Sequence, residues 1–173
     1  MKKALVLAIA LAVVMVLVVL SAQTFTYVGA AKCVICHKTE KQGQQHPIWE
    51  ASKHSKSLGA LTSPEAAANA QAMGVANPPE DAKCLTCHAP LFDKAAELKA
   101  EGVTCEVCHG PGSEYKKLSV MKSREESAKN GLVLLNGADE IKAFCLKCHA
   151  NAHGKNFDFA ASWDKIKHPV PGK

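Results

Sequence analysis

Cys33-Val-Ile-Cys36-His37 is the first of four segments that share one spacing, and these segments decide how the chain is read. The other three are Cys84-Leu-Thr-Cys87-His88, Cys105-Glu-Val-Cys108-His109 and Cys145-Leu-Lys-Cys148-His149. Each segment places two cysteines three positions apart and a histidine directly after the second. The chain of 173 residues has eight cysteines, and the four segments use all of them. A single kind of chemistry must therefore account for every thiol.

The C-x-x-C-H spacing is the attachment pattern of haem c. The two thiols add to the two vinyl groups of one haem, and the histidine that follows ligates the iron. Four segments predict four haem c groups, numbered here in chain order. Paired cysteines also bind zinc, and an exported chain permits disulfides. Neither alternative requires a histidine after every second cysteine, so haem is favoured. The predicted haem-attachment residues are Cys33, Cys36, Cys84, Cys87, Cys105, Cys108, Cys145 and Cys148, and the predicted proximal iron ligands are His37, His88, His109 and His149.

Four histidines remain outside the motifs, which equals the number of predicted irons. They are His46, His54, His153 and His168. The match predicts bis-histidine ligation of most or all haems, which typically gives low reduction potentials. Methionine is the other common sixth ligand, but Met73 and Met121 are too few for four irons. The alternative that one or two of these histidines are ordinary surface residues stays open.

Helix signals and composition together predict a small, mainly α domain that packs around its haems. Only five Phe, two Trp and two Tyr are present, so four porphyrins would form much of the core. Short helices are predicted from Pro47 over 48–58, from Ser63-Pro64, after Ser123 as a capping box, and after Asp139 as a cap. We expect little or no β-sheet and a single tetrahaem domain over residues 23–173.

The N-terminus indicates export. Lys2 and Lys3 precede an uninterrupted apolar run over residues 4–20, so residues 1–22 are predicted to be a signal peptide or an N-terminal membrane anchor. Either places the rest of the chain outside the cytoplasm, in the periplasm or at the cell surface. The formal net charge is +5, yet no basic patch interleaved with aromatic residues is present. Nucleic-acid binding is therefore not expected.

Four segments resemble the cytochrome c-554 family of tetrahaem cytochromes. They are residues 27–37, 49–54, 102–113 and 157–169. The resemblance implies a mostly helical fold with haems in close parallel and perpendicular pairs. It also implies that His54 is the distal ligand of the fourth haem and His168 that of the third.

The sequence departs from that family in one respect. The family usually has a histidine shortly after the Gly-Pro-Gly of the third motif, which serves the first haem. Residues 113–130 contain none, so we expect His46 or His153 to supply that ligand. In the family's namesake the second haem is five-coordinate, and a spare histidine is available here to fill that place.

Electron transfer through four haems is the function that these patterns favour, rather than enzymatic activity. The expected partners are redox proteins. An alternative is a subunit of an extracellular cytochrome filament, a homo-polymer in which a neighbouring subunit supplies a distal histidine. His46 lies in an extra stretch, residues 41–47, that suits this role. A second alternative is a redox enzyme that acts on small nitrogen compounds at a five-coordinate haem.

Overall fold

A computed structural model of the chain describes residues 24–150 and 152–170. The predicted signal peptide or anchor, residues 1–22, lies outside the described residues. The described part contains helices and connecting loops but no strand or sheet, which confirms the predicted mainly α fold. The α-helices are α1 (Ala30–His37), α2 (Gln45–Ala51), α3 (Ser57–Ala60), α4 (Pro64–Ala72), α5 (Ala82–His88), α6 (Cys105–His109), α7 (Leu118–Met121), α8 (Arg124–Lys129), α9 (Ala138–His149) and α10 (Phe159–Ile166). Short 3₁₀-helices cover Glu40–Gln42, Pro78–Glu80, Ala96–Glu101 and Ala152–Gly154.

Two predicted helix starts are confirmed. The Ser63 hydroxyl accepts a hydrogen bond from the Ala66 amide at 3.1 Å, with Pro64 at the first helical position of α4. The Ser123 hydroxyl accepts from the Glu126 amide at 3.2 Å at the start of α8. Both hydroxyls satisfy amides that have no partner within the first turn of a helix.

Two other local predictions are wrong. The helix predicted over 48–58 breaks at Ser52, whose backbone is extended. The Ser52 hydroxyl donates to the Trp49 carbonyl, and the Ser55 hydroxyl donates to the Glu50 carbonyl. These side chains compete for carbonyls that a continuing helix would use. The cap predicted at Asp139 is also wrong, because α9 begins after Gly137 with no side-chain cap.

The apolar core built by side chains is small. Within the described residues, Leu61, Leu85 and Ala89 form its buried cluster, and Leu58 and Phe92 pack against it. Burial of apolar area is the main favourable term in folding. A chain with so few large buried side chains suits a domain in which bound porphyrins supply apolar area.

Helix contacts bring distant motifs together. α1 packs against both α2 and α6, which places the first C-x-x-C-H segment beside the third. α3 packs against α5, which carries the second segment. Across residues 24–150 and 152–170, no helix has the length and apolarity to cross a membrane.

Candidate haem-binding sites

Each C-x-x-C-H segment ends a helix at its histidine. α1, α5, α6 and α9 finish at the four motif histidines. Residues three apart share a face of an α-helix, so the two thiols of each motif lie on the same side. None of the eight cysteines is joined in a disulfide. The arrangement offers each predicted haem two thiols on one face and an imidazole at the end of the same helix.

Three motif histidines lie opposite a second histidine from elsewhere in the chain. The ring centres are 6.1 Å apart for His54 and His149, 6.2 Å for His88 and His153, and 5.9 Å for His109 and His168. A metal–imidazole bond of about 2 Å, with about 1.2 Å from nitrogen to ring centre, separates two imidazoles on opposite sides of one metal by roughly 6.4 Å. The three separations fit two imidazoles that share one iron.

The partners of the motif histidines are His54, His168 and His153. His54 lies beside the fourth motif and His168 beside the third, the positions that the family resemblance implies. His153 lies beside the second motif rather than the first. This position does not match the expectation that His153 supplies the ligand of the first haem.

The first motif differs from the other three. Among the described histidine pairs, none contains His37 or His46. The His46 ring packs edge-on against Trp49 at 5.3 Å. The Nδ1 atom of His37 instead lies 3.2 Å from the side-chain oxygen of Gln45. The fold thus leaves two of the predicted iron ligands without a histidine opposite them.

Hydrogen bonds orient two of the motif imidazoles. Because the partner atoms are oxygens, His37 donates from Nδ1 to Gln45, and His88 donates from Nδ1 to the Ser57 carbonyl at 2.9 Å. A donor at Nδ1 leaves Nε2 as the basic nitrogen, the usual arrangement for a metal-bound histidine. In the described part of the chain, the buried Nδ1 of His168 has no hydrogen-bond partner. The His109–His168 pair therefore retains one ring nitrogen that no hydrogen bond occupies.

Burial keeps several of these imidazoles neutral. Desolvation lowers the pKa of His109 to about 4, and the neighbouring His168 and His37 add to that shift. Desolvation is also the main cause that lowers the pKa of His54, His149 and His168. A neutral imidazole is the form that binds a metal, so the fold supplies ligands in the required state at neutral pH.

The thiols of different motifs lie close enough to perturb one another. The neighbouring Cys105 thiol and burial both raise the pKa of the Cys33 thiol. Burial raises the pKa of Cys108 to about 11, and Cys145 and Cys148 add to it. Burial and neighbouring Cys87 raise the pKa of Cys148 to about 11. These influences link the first motif to the third, the third to the fourth, and the fourth to the second.

The histidines converge in twos and not in larger groups. Within the described ranges, no three side chains of His, Cys, Asp or Glu gather as a metal-binding group. A haem supplies four nitrogens of its own, so two imidazoles complete six-coordinate iron. The donor set therefore fits haem iron.

Some residues around the sites gave no signal in the sequence. The Ser57 hydroxyl lies 2.7 Å from the carbonyls of both His54 and His88, and it accepts from the Val103 amide. Glu101 and Glu106 accept hydrogen bonds from backbone amides at the start of α1. Nothing local distinguishes these residues, because the partners that tie them to other segments, His88, Val103, Ala30 and Gly29, are 31 to 77 positions away.

Comparisons with known proteins agree with this chemistry. A family model described as "Cytochrome c554 and c-prime" matches residues 32–110, which include the first three motifs. Cytochrome c-554 of Nitrosomonas europaea is 26% identical over 142 residues, covering 73% of this chain and 58% of the relative. The predicted resemblance to the cytochrome c-554 family is confirmed. The chain spans less than two thirds of this curated relative's length, and no solved structure matches it. The similarity supports covalently bound haem c.

Proposed function

We propose that this relative of cytochrome c-554 is an exported electron-transfer protein that carries four haem c groups on its eight cysteines. The observation that carries the proposal is the set of three histidine pairs, with ring centres 5.9–6.2 Å apart. Each pair joins one motif histidine to one of the histidines left over by the motifs. Both the matching numbers of motif and non-motif histidines and the distances between their rings are expected if each pair binds one iron.

The residues of the pairs would hold the second, third and fourth haems. When bound, haem iron accepts and releases one electron at a time. His88 with His153, His109 with His168, and His149 with His54 would each supply two imidazole ligands to one iron. An iron with two protein ligands offers no position to a substrate, which favours an electron carrier over an enzyme.

The spatial order of the motifs supports a continuous path for electrons. The thiols of Cys33 and Cys105, of Cys108 and Cys145, and of Cys148 and Cys87 are near enough to shift one another's pKa, which supports a row in which each haem would lie beside the next. The path would run through the first, third, fourth and second haems. The ends of this row are the places where redox partner proteins would dock.

The proposal is tested with the purified holoprotein and the variant His153→Ala. We expect an intact mass of the chain with four haems, and one additional high-spin haem in the variant that binds carbon monoxide when reduced. Asn156→Ala, an exposed position on the same loop, is the matched control and should keep the wild-type spectrum. An unchanged His153→Ala spectrum would contradict the assignment of the second haem.

A filament of identical subunits is the second candidate function. It is favoured by the two histidines outside the pairs, His37 and His46, since His46 of one copy would complete the first haem of the next. A head-to-tail contact whose rotation does not close a ring forms a fibre. Such a contact would join the haem rows of successive subunits into one conducting line.

The test compares wild type with His46→Ala by electron microscopy and absorption spectra over a range of concentrations. Loss of filaments together with a new high-spin haem would support ligation between chains. A monomeric wild type with four low-spin haems would refute it. A monomer whose first haem stays high-spin and binds small ligands would instead favour the enzyme-like alternative.

A further inference from the structure

Glu106 is a fully buried carboxylate inside the third motif. Its side chain is 1% exposed. It accepts hydrogen bonds from the backbone amides of Val28 at 2.9 Å, Gly29 at 2.7 Å and Gly112 at 2.6 Å. A carboxylate accepts hydrogen bonds and donates none, and every partner of Glu106 here is a donor. The fold therefore fixes a negative charge next to Cys105.

Glu101 provides a second carboxylate on the other side of the same junction. It accepts from the Ala30 amide at 2.9 Å and from the Thr104 hydroxyl at 2.6 Å. None of the ion pairs among the described residues includes Glu101 or Glu106. Amide dipoles at the start of α1 stabilise these charges, but no lysine or arginine neutralises them.

Both charges act on the place where the first and third motifs meet. The neighbouring Cys105 thiol and burial raise the pKa of the Cys33 thiol, and the charges of Glu106 and Glu101 raise it further. Burial raises the pKa of Tyr115, and the charge of Glu106 is the next cause. The negative charges of the two carboxylates therefore act on the region where the first and third haems would be attached.

The second and fourth motifs have a different electrostatic setting. The charge of Lys147 opposes the rise in the pKa of Cys148 that burial causes. At Cys84, burial raises the pKa, and the opposite charges of Asp81 and Lys83 act against each other. No buried carboxylate other than Glu106 occurs in the described part of the chain. Uncompensated buried charge is thus confined to one half of the predicted haem row.

We propose that Glu101 and Glu106 lower the reduction potentials of the first and third haems below those of the second and fourth. Oxidised iron carries one more positive charge than reduced iron, so a nearby fixed negative charge stabilises the oxidised form. Low-dielectric surroundings strengthen this effect for buried charges. Electrons would then pass from the first and third haems towards the second and fourth. This inference rests on the proposed four-haem electron carrier.

The experiment is a redox titration of the holoprotein, followed by absorption and by NMR signals of the individual haems. We expect the first and third haems of the wild type to have the two lower potentials. Glu106→Gln and Glu101→Gln should each raise those two potentials and leave the other two unchanged. A tenfold change in the ratio of reduced to oxidised haem corresponds to about 59 mV for one electron.

Glu97→Gln is the matched control, because Glu97 is exposed on the same 3₁₀-helix as Glu101. It should leave all four potentials unchanged. The inference is refuted if the wild type has the opposite order, or if the glutamine variants shift all four haems equally or none. If Glu106→Gln fails to mature, the potentials of Glu101→Gln and the order of the four wild-type potentials still test the inference. Haem number and spin state, measured on the same samples, test the proposed function separately.

Discussion

Replacing Glu106 by alanine should destabilise the holoprotein strongly, because one side chain ties three backbone segments together. The variant removes the acceptor of the Gly29 and Gly112 amides, whose hydrogen bonds are buried, and of the partly buried Val28 amide. Each buried donor left without a partner costs about 1–3 kcal/mol. Two such donors predict a loss of about 4 kcal/mol in the free energy of unfolding, a large part of the usual ~5–15 kcal/mol.

The assay is denaturant unfolding of the holoprotein, followed by far-UV circular dichroism. Glu106→Gln keeps one acceptor oxygen, so it should cost about half as much as the alanine variant. Glu97→Ala removes an exposed carboxylate and should change the free energy of unfolding by about 0.5 kcal/mol or less. If Glu106→Ala were as stable as Glu97→Ala, the hydrogen bonds that Glu106 accepts from the Val28, Gly29 and Gly112 amides would not anchor the fold.

Three further outcomes follow from the same contacts. His168→Ala should convert one low-spin haem, the third, to a high-spin form, as measured by electron paramagnetic resonance of the oxidised protein. Alkylation followed by mass spectrometry should find no free thiol in the mature protein, since eight thioethers use every cysteine; a labelled cysteine would contradict four complete attachments. Ser63→Ala should lower the free energy of unfolding by about 1 kcal/mol, because the Ala66 amide loses its cap; a denaturant titration measures this loss.

Much of the chemistry was readable from the sequence because it is encoded locally. A C-x-x-C-H segment carries its own spacing, and the serine caps at Ser63 and Ser123 depend on residues three positions away. Such features need no knowledge of the tertiary fold. The mainly α class followed from the same local signals together with the scarcity of large side chains.

The pairing of histidines and the anchoring carboxylates were not readable in the same way. His153 lies beside His88, and Glu106 binds amides 77 and 78 positions earlier. Those contacts depend on how short helices pack, which no spacing rule predicts. The break at Ser52 was missed for a related reason, since its hydroxyl competes for a helix carbonyl only in the conformation that the fold selects.

The spin state of the irons in dilute, oxidised holoprotein is the direct test of the three proposed bis-histidine sites. Integrated electron paramagnetic resonance should show at least three low-spin bis-histidine haems per chain. They correspond to the pairs His54–His149, His88–His153 and His109–His168. The first haem should be high-spin in the monomer if the second candidate function holds. Fewer than three low-spin haems per chain would contradict the account.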